Sequence, residues 1–427
     1  MLISTSQFQG QQQSCITIAY NALCKKTKKI AQAIFGYFAR ILVFQLGAMD
    51  SKGSVCVIGC FETGKPVYRK DKVIDPTRLN EGKKFLEKWK EEGGEDVKAT
   101  GQTKNTIHTM SFKASTFFKK FEGLKAERTT CTFNGEKRNC LLPPEATDKE
   151  TKNTEDFEKA LQKFGVSFKT VKINDIECKA ALLPETNREL EKTEEEPICI
   201  LHTHSPGRSM CMDRKVIWLH LAAGYDITVW DPRGTEGSVG RATEKGIYLD
   251  AEAVYQQVKN KYAAQNIYLS GFCQGAAINA HLFKAHIDER VNFVAHNTFS
   301  SMKALFEHQG YCGLGKLTAK YGLEALKDSD DTDAIQDGFD TQEKFKNIKE
   351  KKSRTNKVIL IDTDKDYFVP EKSTEVLESS LKDKVESIKR ITNVHGPTEK
   401  KSAHALPPYE NEATWAEYVK HLTYIAK

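Results

Sequence analysis

From residue 197 onward the chain repeats one pattern: a short apolar, β-prone run stops at a polar residue, and a stretch of helical length follows. Pro197-Ile198-Cys199-Ile200-Leu201 ends in His202, Asp226–Trp230 in Asp231, and Asn266–Leu269 in Ser270-Gly271. Val291–Ala295 ends in His296 and Lys357–Ile361 in Asp362, with segments such as Leu249–Tyr262 and Ala276–Ala285 between the runs. Short apolar runs without polar alternation are strands covered on both sides, the condition of a parallel sheet wrapped by its crossover helices. The pattern predicts an α/β fold: a mostly parallel central sheet with helices on both faces, preceded by an N-terminal extension. In such sheets ligands bind where the strands end, so the polar residues closing each run are the candidates for chemistry.

The run Asn266–Leu269 leads into Gly271-Phe272-Cys273-Gln274-Gly275, and Ala276 and Ala277 open a helix. A Gly-x-Cys-x-Gly turn between strand and helix holds its central residue at strained backbone angles. Side chains in place of the glycines would strike the neighbouring strand and helix. The positive end of the helix dipole favours a thiolate there. Alone, the pentapeptide fits a buried inert Cys as well as a nucleophile.

Further motifs follow in a recognisable order. From about Val171 to Lys427 the chain resembles the α/β-hydrolase superfamily. Trp230-Asp231-Pro232-Arg233-Gly234 through Ser238-Val239-Gly240 resembles its D-x-R-G-x-G-x-S stretch, and Gly271–Gly275 resembles its nucleophile elbow. Asp366-Tyr367-Phe368-Val369-Pro370 resembles the D-x-x-V-P segment that carries the acid, and His404 precedes an expected helix Glu412–Tyr424, as the family's His does. The order nucleophile, acid, His is the family's. Most members have Ser where this chain has Cys273; a Cys there is similar to the dienelactone-hydrolase branch. The whole chain, with its extended N-terminal half, also looks like the bacterial, chlamydial CHLPS-type hydrolases of unknown function.

The resemblance implies an ester or thioester hydrolase acting through a covalent acyl-enzyme. Cys273 is then the nucleophile, His404 the base and Asp366 the group that fixes the imidazole tautomer. The backbone N–H of Gln274 and one near His204 or Ser205 would hold the oxyanion. His395 competes with His404, which the following Ala405-Leu406-Pro407 and helix favour. Asp362 and Asp364 compete with Asp366, which the Val-Pro spacing favours. One rival reading is a hydrolase fold that has lost activity and serves as a scaffold or binding protein. Another is a metal-dependent hydrolase using His202 and His204, although Ser205-Pro206-Gly207 follow where further ligands would be needed. Arg233 reads as a brace between loops. We expect no cofactor and no metal, and a small-molecule or lipid-like ester as substrate.

Between His296 and Lys352 stand residues that a minimal hydrolase does not need, including Phe299, Met302, Leu305, Phe306, Tyr311, Leu314 and the acidic run Asp328–Asp333. Insertions at this edge can form caps that set substrate choice, so 298–352 is read as a cap within a hydrolase domain 166–427. Residues 50–165 form the extension with a β-hairpin. Two segments, one on either side of that boundary, look alike: Thr130–Asn134 with Gly135, closing on Leu141-Leu142-Pro143, and Val171–Asn174 with Asp175, closing on Leu182-Leu183-Pro184. Each reads as a hairpin.

Residues 1–49 combine a Gln-rich tail, the lysines Lys25, Lys26, Lys28 and Lys29, and the run Ile30–Met49, in which 15 of 20 residues are apolar. At about 1.5 Å per residue this run can cross a hydrocarbon layer of roughly 30 Å, but Arg40 falls near its middle. It reads as a membrane anchor or in-plane helix, as a helix packed on the main domain, or, least well, as a signal peptide, for which the stretch before it is long. Residues 15–49 are therefore the expected membrane contact, and the location cytoplasmic or membrane-associated. The net charge of +6 over 427 residues, with no block of five or more like charges, gives no case for nucleic-acid binding. Eleven cysteines without paired CxxC spacing read as reduced thiols rather than a zinc or disulfide framework.

Overall fold

The computed structural model describes residues 28–32 and 95–422, except 101–105, 145–146, 163, 187–195, 206–209, 211–212, 234–242, 310–314, 325–335, 352–353, 395–403 and 405–410. The first half contains β1 (Glu95–Thr100), β2 (Thr106–Phe112), α1 (Ala114–Gly123), β3 (Glu127–Phe133), β4 (Glu136–Leu142), α2 (Asp148–Gln162), β5 (Lys169–Ile173) and β6 (Ile176–Leu182). Then come β7 (Cys199–Thr203), α3 (Arg214–Ala222), β8 (Asp226–Trp230), α4 (Glu244–Lys259), β9 (Ile267–Phe272), α5 (Gln274–His286) and β10 (Asn292–His296). The chain continues through α6 (Met302–Gln309), α7 (Thr341–Lys346), β11 (Lys357–Thr363), α8 (Ser373–Leu381), β12 (Ser387–Asn393) and α9 (Glu412–His421).

Eight strands form one sheet in the order β1-β2-β8-β7-β9-β10-β11-β12. The six from β8 to β12 are parallel, and β1 and β2 add an antiparallel edge. Successive residues of the central strands enter opposite cores, as a period of two requires. Cys199, Leu201, Ile267, Leu269, Phe293, Ala295, Val358 and Leu360 join α4, α5 and α8 on one face. Ile200, Ile227, Val229, Tyr268, Val294 and Ile359 join α1, α3 and α9 on the other. Both faces are covered, which is why the sequence shows runs rather than alternation.

The strand order reverses between β7 and β9, because the chain builds outward from β7 to β8 on one side and from β9 to β12 on the other. In open α/β sheets such a reversal is where ligands generally bind, beyond the strand ends. The register sets His202 beside Ser270, Thr203 beside Gly271 and His296 beside Phe272. Strands β7 and β9 thus continue past the polar residues expected to end them, because His202 and Ser270 still pair.

The extension was expected to carry one hairpin. Both look-alike hairpins instead close into a four-stranded barrel, β3-β4-β6-β5. The expected boundary between 165 and 166 lies within this unit, and β1 and β2 belong to the main sheet. Residues 40 apart correspond: Asn134 and Asn174 both turn at positive φ, Phe117 and Phe157 are both buried in the preceding helices, and β4 and β6 share one burial pattern. At the two seams the corresponding residues pair with each other, Leu141 with Ala181 and Thr132 with Lys172, so the barrel has an internal twofold. The Leu-Leu-Pro likeness is one residue out of register, since Leu142 corresponds to Leu182 and Pro144 to Pro184.

Of the expected cap, Phe299, Met302, Leu305 and Phe306 are packed into the main core; Tyr311, Leu314 and Asp328–Asp333 lie outside the described residues. Glu244, at the start of α4, accepts backbone N–H groups from Gln336, Asp337, Gly338 and Phe339 and so fixes the insertion's return. Among the described residues no helix is long and apolar enough to cross a membrane. Of the expected membrane segment, only 28–32 are described, with Lys28 paired to Glu324.

Candidate active site

Cys273 sits between β9 and α5 at φ 55°, ψ −119°, a region that L-residues rarely occupy. The flanking glycines explain how the chain reaches it. A Cβ on Gly271 would lie 2.3 Å from the backbone N of Ala276, and one on Gly275 would lie 2.1 Å from the carbonyl O of Thr203. These neighbours are main chain and cannot turn away. The Cys273 N–H donates to the His296 carbonyl (2.9 Å), and the Thr298 hydroxyl donates to the Cys273 carbonyl (2.8 Å). The strain at this residue is held by contacts on every side.

His404 approaches from the far end of the chain. Its Nδ1–H donates to Oδ2 of Asp366 at 2.8 Å, and its ring also hydrogen-bonds the Cys273 thiol. The other Asp366 oxygen accepts from the N–H groups of Phe368 (2.8 Å) and Val369 (3.2 Å), so the turn after β11 aims the carboxylate. Phe272 and Phe368 flank the imidazole, with ring centroids 5.1 and 4.6 Å away. Burial alone would lower the pKa of His404. The Cys273 sulfur and the Asp366 carboxylate outweigh it and raise the pKa to about 10. The proton therefore stays on the imidazole through the neutral range.

The competing carboxylates are placed elsewhere. Asp362 lies inside β11, not at its end, and pairs with Arg390 at 2.6 Å; the Asp364 N–H donates to the Asn393 carbonyl. His395 lies outside the described residues. Arg233 grips Asp250 of α4 with its guanidinium and its backbone N–H, and the pair is buried. Gln274 opens α5 beside Cys273, and His204 and Ser205 follow β7 directly across from Gly275. His202 Nδ1 meets the Ser270 hydroxyl (3.4 Å), and its Nε2 lies 3.8 Å from Asp213. His204 bonds the Ser205 carbonyl and Asp231. The two imidazoles thus serve separate partners. Among the described residues no group of three His, Cys, Asp or Glu side chains is arranged to hold a metal.

Sequence reasoning missed the supporting roles of Asn297, Trp230, Thr203 and Asn279. Asn297, at φ 46°, donates from Nδ2 to the His404 carbonyl (2.8 Å) and the Thr363 hydroxyl (2.9 Å), while its N–H donates to the Ile361 carbonyl. It ties the ends of β10 and β11 to the loop carrying the His. Beneath the elbow, Trp230 Nε1 donates to the Thr203 hydroxyl, which donates to Asn279, whose amide reaches the Ser270 carbonyl. The available signal was an Asn directly after a strand-ending His, where a left-handed residue is tolerated.

No protein-family model and no curated protein matches the chain. Solved structures similar to it include an esterase of Pyrococcus furiosus, at 12% identity over 77% of this chain and 89% of that one, with a TM-score of 0.42. An acylaminoacyl peptidase of Pyrococcus horikoshii is 15% identical over 74% of this chain and 48% of that one, at 0.40; the chain spans about half of its length. An α/β hydrolase of Vibrio vulnificus is 18% identical over 53% and 74%, also at 0.40. The strand order, the strained turn after β9 and the sequence order of the three contacting side chains make the architecture α/β-hydrolase-like.

Proposed function

We propose that this chain is an acyl hydrolase that cleaves esters or thioesters through Cys273, His404 and Asp366. The observation that carries the reading is His404 bonded at once to Asp366 and to Cys273, three groups brought together from the ends of separate strands. The Cys273 thiolate attacks the substrate carbonyl carbon, forming a C–S bond and an oxyanion. The N–H of Gln274 and one from the His204–Ser205 segment receive that charge. As the intermediate collapses, the leaving alcohol or thiol takes the proton from His404. Water then gives a proton to His404 and its oxygen to the acyl carbon, the C–S bond breaks, and a carboxylic acid departs.

A chelator should leave turnover unchanged, since neither His202 nor His204 is oriented with the other toward a common ligand position. The test is release of p-nitrophenolate from short p-nitrophenyl esters by the full chain, run beside Cys273→Ala and beside alkylation by iodoacetamide with peptide mapping. Turnover that vanishes in the variant and alkylation centred on Cys273 support the proposal. Neither hydrolysis nor selective alkylation would instead leave a hydrolase-fold scaffold.

A further inference from the structure

His204 is buried, with 3% of its surface exposed, and both ring nitrogens face oxygens. Nδ1 lies 2.8 Å from the Ser205 carbonyl, and Nε2 lies 2.9 Å from Oδ1 of Asp231. A backbone carbonyl can only accept, and an ionised carboxylate can only accept, so each nitrogen must carry a hydrogen. A ring with hydrogen on both nitrogens is an imidazolium. The same Asp231 oxygen also accepts the backbone N–H of Met210 at 2.8 Å. One carboxylate at the end of β8 therefore grips the segment 204–210 at both ends.

We propose that His204 is a standing imidazolium whose pairing with Asp231 clasps the loop after β7 against the elbow, and so positions the oxyanion-binding backbone. This rests on the hydrolase reading and gives a role to two buried charges which the triad does not use. The neighbourhood argues for positioning rather than direct charge stabilisation. Asp231 cancels the positive charge, Asp213 lies close by, and His202 faces Asp213 and Ser270 instead. Burial pushes the His204 pKa down, yet the Asp231 contact, the Asp213 carboxylate and the Ser205 carbonyl together leave it raised. Gly275 gives the clasp its leverage. A side chain there would strike the Thr203 and His204 carbonyls, so any drift of the loop moves it relative to the first turn of α5.

The test uses His204→Gln, which keeps a donor toward Asp231 and loses the charge and the Ser205 bond. With p-nitrophenyl esters, kcat should fall roughly 10²-fold, the scale of a displaced oxyanion donor, with KM little changed. Alkylation of Cys273 by iodoacetamide builds no oxyanion and should keep its wild-type rate, a split that general unfolding would not give. In the full chain labelled with 15N-histidine, His204 should keep protons on both ring nitrogens at pH 8, beside the rings of His404 and of His286, whose nitrogens face Glu289 and Glu252, and of these signals the one from His204 alone should vanish in His204→Gln. A neutral tautomer of His204 at pH 8, or wild-type kcat in the variant, would overturn the proposal. Should the wild type cleave no ester, the hydrolase reading fails by itself, and the NMR signature still decides the charge.

Discussion

Cys273 and Cys140 carry the same side chain at almost the same burial, 6% and 0% exposed, in two different β-built surroundings. Cys140 lies inside the N-terminal barrel with Cys131, Val171 and Ala180. There burial, reinforced by the neighbouring Cys131 and Cys178 thiols, pushes its pKa far up. Cys199 in the main sheet is likewise pushed up, by burial and then by Asp226. Cys273 instead meets an imidazole that is itself bonded to a carboxylate. Exposure does not separate these thiols; a charge partner does.

The sharpest way to break the comparison is to remove the sulfur. Cys273→Ala should abolish ester turnover, by about 10⁴-fold or more on the scale of deleted nucleophiles, and should leave alkylation of the remaining thiols as it was. Residual turnover within tenfold of wild type would show that the wrong cysteine has been chosen. Next is Asp366→Asn, which keeps the shape and loses the tautomer control. A drop in kcat on the order of 10³–10⁴-fold is expected, and a drop below tenfold would hand the acid's role to another carboxylate. Smaller again is Asn297→Ala, which frees the His404 carbonyl from β10. We expect a loss on the order of 10–10² in kcat with KM retained, the scale of a slightly misplaced base; a change confined to melting temperature would make Asn297 a structural residue only.

A pH profile sharpens the comparison without any mutation. With its pKa raised to about 10, His404 in the proposed role of acid for the leaving group is charged below that value and neutral above it. The alkaline limb of kcat/KM should fall near pH 10, well above the ordinary histidine value; a limb near pH 7 would contradict the pairing. Last comes Cys140→Ala, which should leave turnover unchanged and cost about 1 kcal/mol of stability for a small buried group. Thermal unfolding together with the ester assay would check this.

How much of this the sequence reveals depends on the distance over which each feature is encoded. The central strands were legible because both of their faces are buried, which writes an apolar run into five consecutive residues. The turn around Cys273 was legible because its glycines answer local backbone contacts. The antiparallel strand β2 was not, since buried Thr109 and Ser111 replace apolar residues on one face, and Ser111 bonds Thr228 across the sheet. Asn297 was invisible for another reason: its partners Thr363 and His404 become neighbours only when β10 and β11 align. The hairpin likeness was seen, but its register was not, because Leu-Leu-Pro is a poorer guide than the turn asparagines that corresponding residues share.

The tight seating of Gly271 and Gly275 has a consequence for how such a protein can change. Main-chain neighbours crowd both flanking glycines and set where residue 273 points, so its side chain is a replaceable fitting in a socket cast largely by the surrounding backbone. Chemistry there can be exchanged one atom at a time, sulfur for oxygen, while the mould that aims it stays intact.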